Sequence, residues 1–314
     1  MRSHEFHATP TAAPVPAPLS HAVTLHHAHH AAVAMARLWR QHARRGAAGA
    51  QRVLVWKEAA GGPTACAPAS VTACARIDLD LHGPWLLDLP DGAWGLLDDG
   101  WLRPVGRLNA VGDPHRRYLL VGPAQDVAAP ADATVLRSAT RGAWLTLRLD
   151  ADGDDALRLS DGQGAPAGAA LARLAALRLR PQSPAARRVP LAFVERLAQR
   201  RPWPGLADAR FFAELARLAA LESYAGLSAN AIDDLAQIGI RPGRPFAPDD
   251  ALRALLGAAA ARAMGAARAA RSDSPLRAPA QAHAMRLAPA AAAVPMQRWQ
   301  RAFAGLGAGD GQER

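Results

Sequence analysis

Arginine, tryptophan and aspartate side chains near the middle of the chain are residue types with which a protein can bind a polar ligand. The stretch "TRGAWLTLR" (140–148) carries Arg141, Trp144 and Arg148. In a β-strand, alternate side chains point to opposite faces, so Trp144 and Arg148 share one face and Arg141 lies on the other. An arginine beside a tryptophan can hold an anionic or sugar-like ligand by charge and stacking. The pattern predicts a binding position, with an internal Arg–Asp pair and a core tryptophan as the alternative.

Two adjacent acidic residues precede this stretch in "LLDDGW" (96–101), where Asp98, Asp99 and Trp101 are expected on a neighbouring strand. A carboxylate acting with Arg148 could support hydrolysis of a small polar ligand, which makes a hydrolase one alternative function. The sequence shows no paired nucleophile and base, no G-x-S-x-G elbow, no P-loop and no dinucleotide-binding glycine motif. We therefore rank binding above catalysis and expect no cofactor.

A histidine-rich stretch, "HAVTLHHAHH" (21–30), is predicted to be helical and places His26 and His30 one turn apart. Two imidazoles at that spacing can bind Zn, Ni or Cu. The nearest acid is Glu5, so no carboxylate stands nearby to complete or orient a site. We interpret the stretch as a solvated helix and predict no metal, with His26 and His30 as the alternative metal site.

Two other patterns resemble ion sites without completing them. Cys66 and Cys74 are separated by seven residues, which is neither a zinc-ribbon nor a C-x-x-C spacing, and we predict two reduced thiols. The acidic stretch 150–161 begins like a calcium loop, but Asp155 replaces the glycine of position six and Asp161 replaces the glutamate of position twelve. It is interpreted as an acidic turn.

The positive charge of the chain is concentrated at its two ends. The formal net charge is +10, and arginine supplies nearly all of the 37 basic residues. Residues 1–56 hold six arginines and one acid, residues 257–314 hold eight arginines and three acids, and residues 57–256 are balanced. Arginine-rich ends can contact nucleic acid or an anionic surface. We divide the chain accordingly into a basic, partly disordered N-terminal region with the His-rich helix, a central α+β domain and an Ala/Arg-rich low-complexity tail.

Hydrophobic periodicity predicts strands in the first half of the chain. "RVLVW" (52–56) is the first strand candidate, and the segments between Val71 and Trp144 alternate with period two between turn signals. Within this region, residues 122–133 hold three Pro or Gly residues and two acids. This segment is predicted to connect two strands of a sheet.

After Asp150 the period changes to that of a helix. Helices are predicted at 167–180, after Pro190, after an Asp208 cap, after a Ser228 cap with Gly239 at the far end, and from Asp249 or Asp250 to about Arg271. The predicted fold class is α+β, with an antiparallel sheet or sandwich-like N-terminal part followed by a helical part. The N-terminus lacks the apolar core of a secretory signal, and no run approaches the roughly 20 apolar residues of a transmembrane segment. We expect a cytoplasmic protein.

Five short motifs resemble, in their order, a known family. They are "GPWLLDLPDG" (83–92), "LLDDGW" (96–101), "YLLVGP" (118–123), "RSATRGAWLTLR" (137–148) and "IGIRPGRPFAP" (238–248). Together they resemble the domain-of-unknown-function family 1254, over roughly residues 68–256.

The resemblance implies an α+β domain without an assigned reaction. Members of the family usually carry a "P-N-x-D-T-x-Y" stretch before the first sheet strands, and the matching stretch here is "PASVTAC" (68–74). Of its polar side chains only Thr72 remains, which makes Thr72 a further candidate for ligand binding. Many members also carry a second β-rich domain, family 1214, and look exported. We expect neither feature in this chain.

These patterns predict a module that binds an unknown small polar ligand, with basic ends that are accessory. The candidate ligand-binding residues are Arg148, Trp144, Arg141, Asp98, Trp101 and Thr72. A hydrolase acting on a small polar ligand is one alternative. A protein that binds nucleic acid or an anionic surface through its arginine-rich ends is the other.

Overall fold

Two β-sheets and a layer of helices build the part of the chain that the structure describes. The structure is a computed structural model, and it describes residues 17–43, 51–58, 70–80, 83–109, 116–150, 167–183, 190–196 and 206–272. The strands are β1 Gln51–Glu58, β2 Ser70–Asp78, β3 Trp85–Asp88, β4 Trp94–Asp99, β5 Pro104–Leu108, β6 Arg117–Val121, β7 Thr134–Arg137, β8 Gly142–Asp150, β9 Arg178–Pro181 and β10 Leu191–Arg196. The helices are α1 Ala17–Ala43, α2 Ala167–Leu174, α3 Arg210–Leu221, α4 Ala229–Gln237 and α5 Asp250–Ser272.

The sheets are mostly antiparallel. The larger sheet has six strands in the order β10-β1-β2-β8-β4-β5, and the smaller has four in the order β7-β6-β3-β9. Parallel pairing occurs between β1 and β10 and between β6 and β7. The predicted α+β class, with sheets first and helices after them, is confirmed.

Each face of the six-stranded sheet packs against a different layer. On β8, the alternate residues Ala143, Leu145 and Leu147 pack into a core that also contains Trp85 and Tyr118 of the four-stranded sheet. The opposite face carries Trp144, which packs with side chains from α1, α3, α4 and α5. Because the side-chain period of a strand is two, one strand serves both cores. We call the face that carries Trp144 the helix-facing side of the six-stranded sheet.

The predicted ends of α4 are confirmed in atomic detail. The side chain of Ser228 accepts a hydrogen bond from the N–H of Ala231, and Gly239 has a φ of +86° beyond the C-terminus. The N–H of Ile240 donates to the carbonyl of Leu235 at 2.9 Å, which closes a Schellman turn that favours glycine. At α3, the Asp208 carboxylate accepts from the N–H of Arg210 at 2.9 Å.

Two helix predictions are wrong. The segment after Pro190 forms β10, because Leu191–Arg196 pairs in parallel with β1. The helix predicted at 167–180 ends at Leu174, and Arg178–Pro181 pairs with β3 as strand β9. In both cases a distant strand offers the backbone a sheet partner, and tertiary pairing outweighs the local apolar period.

The His-rich helix and the first strand pack directly against the central region. Helix α1 packs against α3, α4 and α5, and its residues Leu25, Val33 and Met35 are buried in the helix-side core. Strand β1 is paired on both sides, with β10 and β2. Helix α1 and strand β1 therefore pack with the central region. In the described segments, no helix is long and apolar enough to cross a membrane.

The connection between β6 and β7 covers the outer face of the four-stranded sheet. Val127 and Ala133 pack against Leu119 and its neighbours there. The side chain of Gln125 accepts from the N–H of Gly122 at 2.9 Å and donates to the carbonyl of Leu79 at 2.7 Å. The segment 122–133 is thus the predicted connection between two strands, and the strands it joins run parallel.

Candidate functional site

Strand register separates the predicted site residues into two rows on the helix-facing side of the six-stranded sheet. Arg148 on β8 stands opposite Thr72 on β2 and opposite Trp94 on β4. We call Thr72, Arg148 and Trp94 the Trp94 row. Trp144, four residues before Arg148, lies about 13 Å away along the strand. Trp144 and Arg148 therefore share a face, as predicted, but they do not stand side by side.

Trp94 and Arg148 of the Trp94 row reach solvent. The Cζ atom of Arg148 lies 5.9 Å from the centroid of the Trp94 ring, a cation–π distance. Trp94 is 42% exposed, which is unusual for so large an apolar side chain on a sheet. Arg148 is half-buried and Thr72 is buried. The row presents an indole face, a guanidinium and a hydroxyl within neighbouring strands.

The second row consists of Arg76, Trp144 and Asp98, and we call it the Trp144 row. The Trp144 ring is buried and meets Trp39 of α1 edge to face, with centroids 5.8 Å apart. Asp98 is 1% exposed. The register sets Asp98 and Arg148 four residues apart along β8, so the rows do not join them as an ion pair. Trp144 and Asp98 belong to the covered interior.

Cys74 lies next to this row, and its thiol is unreactive. It is buried and free, and burial, with a smaller contribution from the charge of Asp98, raises the pKa of its thiol to about 12. A thiol held protonated is a poor nucleophile and a poor metal ligand. Cys74 is thus the reduced thiol that its spacing predicted, whereas Cys66 lies outside the described residues.

Asp99 and Trp101 organise the turn between β4 and β5. The carboxylate of Asp99 accepts from the N–H groups of Trp101 and Arg103 at 2.8 and 3.0 Å. It also accepts from the Arg103 side chain, at 2.8 Å from Nε and 2.5 Å from Nη2. The Trp101 indole N–H donates to the carbonyl of Ser223 at 3.1 Å, and its ring is buried. These contacts give both residues a positioning role in the turn.

Arg141 stands apart from both rows. It is exposed and pairs with Asp80, Nε to Oδ2, at 3.1 Å. Both partners face solvent, and an exposed pair of this kind contributes 0 to about 1 kcal/mol. The geometry therefore gives Arg141 no place beside Trp94 or Trp144.

A buried polar cluster around Glu222 was missed by sequence reasoning. The Glu222 carboxylate, 4% exposed at the end of α3, accepts from Nη2 of Arg76 at 2.6 Å and from the N–H of Gly142 at 2.9 Å. The Thr140 hydroxyl accepts from the N–H of Gly100 at 2.7 Å and donates to the carbonyl of Gly142 at 2.7 Å. We call these five residues the Glu222 cluster.

The two glycines of the Glu222 cluster make room for the carboxylate. A Cβ on Gly100 would stand 2.2 Å from Cδ of Glu222, and one on Gly142 would stand 2.6 Å from its Oε1. Two of the family-like motifs, "LLDDGW" and "RSATRGAW", supply these glycines. The motifs therefore fix the end of α3 against the sheet, and Glu222 lies 80 residues from Gly142. Because of that separation, no local pattern in the sequence predicts the contact between Glu222 and Gly142.

The histidines of α1 face the protein interior. His26 donates from Nε2 to the carbonyl of Leu206 at 3.0 Å, and its ring lies 4.2 Å from that of Phe211. The His29 ring lies 5.1 Å from that of Trp101. Burial lowers the pKa of both His26 and His29 to about 4. Interpreting this stretch as a solvated helix was wrong, because its apolar neighbours turn the imidazoles inward.

The alternative metal site finds little support in this geometry. His26 and His30 have ring centroids 5.1 Å apart, but Nε2 of His26 is occupied by the carbonyl of Leu206. Among the described residues, no three His, Cys, Asp or Glu side chains gather as a metal site. The acidic stretch after Asp150 lies outside the described residues.

Comparison with known proteins gives a family and a fold. Residues 59–161 match the model of the family described as "Protein of unknown function (DUF1254)", which confirms the resemblance over the first four motifs, whereas the fifth, at 238–248, lies outside the matched range. The match covers about a third of the chain, and over those residues the sequence is similar to that family. No curated protein matches its sequence.

The fold is similar to the crystal structure of the VPA0106 protein from Vibrio parahaemolyticus, a structural genomics target. The TM-score is 0.54 at 12% sequence identity, and the match covers 82% of this chain and 60% of that one. At this identity the likeness concerns the fold alone. This chain spans about three fifths of the length of the VPA0106 protein.

Proposed function

We propose that the chain binds a small anionic ligand that contains a ring, and that the Trp94 row is the binding surface. The observation that carries the proposal is the Arg148 guanidinium 5.9 Å from a Trp94 ring that is 42% exposed. The ligand ring would stack on Trp94, and its anionic group would pair with Arg148. Thr72, buried beside Arg148, is the additional hydrogen-bonding group.

The exposure of Trp94 is costly unless something covers it. A tryptophan side chain buries on the order of 200 Å² when it is enclosed, so about 100 Å² of this one remains in water. At about 25 cal/mol per Å², a ligand that covers that area gains roughly 2 kcal/mol. An ion pair with a half-buried arginine adds selectivity for an anion over its neutral analogue.

The geometry favours binding over hydrolysis. Asp99 is engaged by Trp101 and Arg103, and Asp98 is buried in the Trp144 row, about 13 Å along the strand from Arg148. Neither carboxylate stands beside the proposed ligand. Contact of the arginine-rich ends with nucleic acid or an anionic surface stays a prediction, since residues 1–16 and 273–314 lie outside the described part. A cytoplasmic location also stays a prediction.

The proposal is tested with matched anionic and neutral probes on the full chain. The pairs are glucuronate and glucose, benzoate and benzamide, and adenosine monophosphate and adenosine. A ligand that binds the native state raises its apparent melting temperature. We expect at least one anion to stabilise the chain more than its neutral partner does, and Arg148→Ala to abolish that difference.

Two variants separate the ring contact from the charge contact. Trp94→Ala should remove binding of both members of a pair, because stacking is common to them. Phe193→Ala is the matched control, since Phe193 is another exposed aromatic side chain and lies on β10, four strands from β4. The proposal is contradicted if no anion is preferred, or if Phe193→Ala reduces binding as much as Trp94→Ala does.

A further inference from the structure

Helix α1 is attached to the body through a face that contains two buried imidazoles. His26 packs on Phe211 of α3 and donates to Leu206, which precedes α3. One turn along, His29 packs on Trp101. Both side chains are buried, at 2% and 6% exposure. Only a neutral imidazole is stable in such surroundings, because burial penalises the charged form.

The groups that face these two imidazoles do not compensate a positive charge. On α1 itself, His26 neighbours His27 and His30, which lower its pKa further. On the turn between β4 and β5, His29 faces Arg103, whose charge also opposes protonation. The counter-charge of Arg103 is Asp99, and it is already paired with that arginine.

Two further polar contacts join α1 to the other helices, and neither involves His26 or His29. His21 is hydrogen bonded to Asp234 of α4 at 2.5 Å. Near the other end, Arg40 pairs with Glu214 of α3. Protonation therefore weakens the attachment of α1 in the middle of the helix, where His26 and His29 are buried.

Helix α1 also covers the Trp144 row. Trp39 meets the Trp144 ring edge to face, and Leu25 and Met35 lie in the same core cluster as Trp144. The helix contributes many small side chains to this contact, including Ala22 and Ala32. The attachment of α1 therefore combines apolar contacts with the two buried imidazoles.

We propose that α1 is an acid-labile cover, which separates from α3 and from the Trp101 turn when His26 and His29 take up protons, and so uncovers the Trp144 row. The cover responds to mildly acidic conditions, between the pH at which a free histidine titrates and the pH at which the buried pair does. This inference is independent of the ligand proposed for the Trp94 row.

Hydrogen exchange of the full chain at pH 7 and pH 5, in buffer with a chelator, tests the proposal. After correction for the intrinsic exchange rate, opening of α1 should be favoured at pH 5 by up to about 20-fold for each histidine. Peptides from α1 should lose several-hundred-fold protection, and peptides from β8 should lose little. Equal loss in α1 and β8 would mean global unfolding and would overturn the proposal.

Variants that cannot titrate provide the second arm. His29→Phe keeps a ring against Trp101, and His26→Gln keeps a donor for the Leu206 carbonyl, so each should lose up to about 20-fold less protection of α1 at pH 5 than the unaltered chain. The double variant should retain the protection of α1. His27→Gln is the control and should behave like the unaltered chain. If a variant fails to fold, NMR titration of the unaltered chain replaces it, and the two buried imidazoles should titrate together with the opening of α1. Titration without opening overturns the proposal.

Discussion

Removal of the Glu222 side chain is the most informative perturbation of the fold. Glu222→Ala leaves the guanidinium of Arg76 without its carboxylate and leaves the N–H of Gly142 without an acceptor. Breaking a buried ion pair costs about 3–5 kcal/mol. Because the Arg76 side chain is 20% exposed, water can hydrate part of its guanidinium and reduce that cost. We expect a loss of about 3 kcal/mol in the free energy of unfolding. For a chain of this size, that corresponds to about 6–12 °C in Tm.

Urea unfolding of the full chain, followed by circular dichroism, measures this loss. The midpoint should fall without a change in m-value, because the surface exposed on unfolding stays the same. Glu222→Gln should cost less than Glu222→Ala, since the amide oxygen can still accept from Gly142. The control is Arg253→Ala, which breaks an exposed pair with Asp250 and should change stability by less than about 0.5 kcal/mol.

A double-mutant cycle between Glu222 and Arg76 decides whether the pair itself carries the effect. Arg76→Ala alone should also destabilise, and the double variant should lose much less than the sum of the two single losses. An additive result would refute the account. A loss below about 1 kcal/mol for Glu222→Ala would refute it as well, because a desolvated pair cannot be broken so cheaply.

Three further predictions follow from packing and protonation. Gly142→Ala should destabilise the chain by more than 1 kcal/mol in the same urea assay, because its Cβ meets Glu222 and Arg76 at about 2.6 Å, whereas Gly265→Ala, in open space, should not. The pKa of His26 and His29 is lowered from 6.5 to about 4, so the free energy of unfolding should be constant above pH 6.5 and fall by up to about 3 kcal/mol per histidine towards pH 4; a flat profile between pH 7 and 4.5 would contradict this. The Cys74 thiol, with its pKa raised to about 12, should react with a thiol reagent at pH 8 at least a hundredfold faster in urea than in the native state, measured in a Cys66→Ser background; equal rates would show that the thiol is accessible.

Local signals predicted the elements that are determined locally. Ser228 and Gly239 mark the two ends of α4, where a cap and a positive φ suffice to define the helix. The motif order predicted the match to the family model at residues 59–161, and period-two alternation predicted most strands of the larger sheet. By contrast, β10 depends on parallel pairing with β1, which lies far away in the sequence. Its apolar residues fit a helix equally well until that partner is present.

The sequence predicted which β8 residues share a face, but it did not predict the arrangement of side chains around them or the place of Trp94. The alternation along β8 correctly placed Trp144 and Arg148 on one face. Which tryptophan stands beside Arg148 depends on the register between β8 and β4, and periodicity does not encode register. The structure gives that place to Trp94. The Glu222 cluster was missed for the same reason, since it joins α3 to residues 80 and 146 positions earlier.

The central claim, ligand binding at the Trp94 row, is tested most directly by the indole N–H signals of the eight tryptophans in a nitrogen-15 NMR spectrum of the full chain. Trp94→Phe assigns the Trp94 signal as the one that disappears. On titration with the anionic probe that most stabilises the chain, the Trp94 signal should shift, and the buried Trp144 and Trp101 signals should stay in place. Movement of the Trp144 signal while the Trp94 signal stays fixed would contradict the account and would move the ligand site beneath α1.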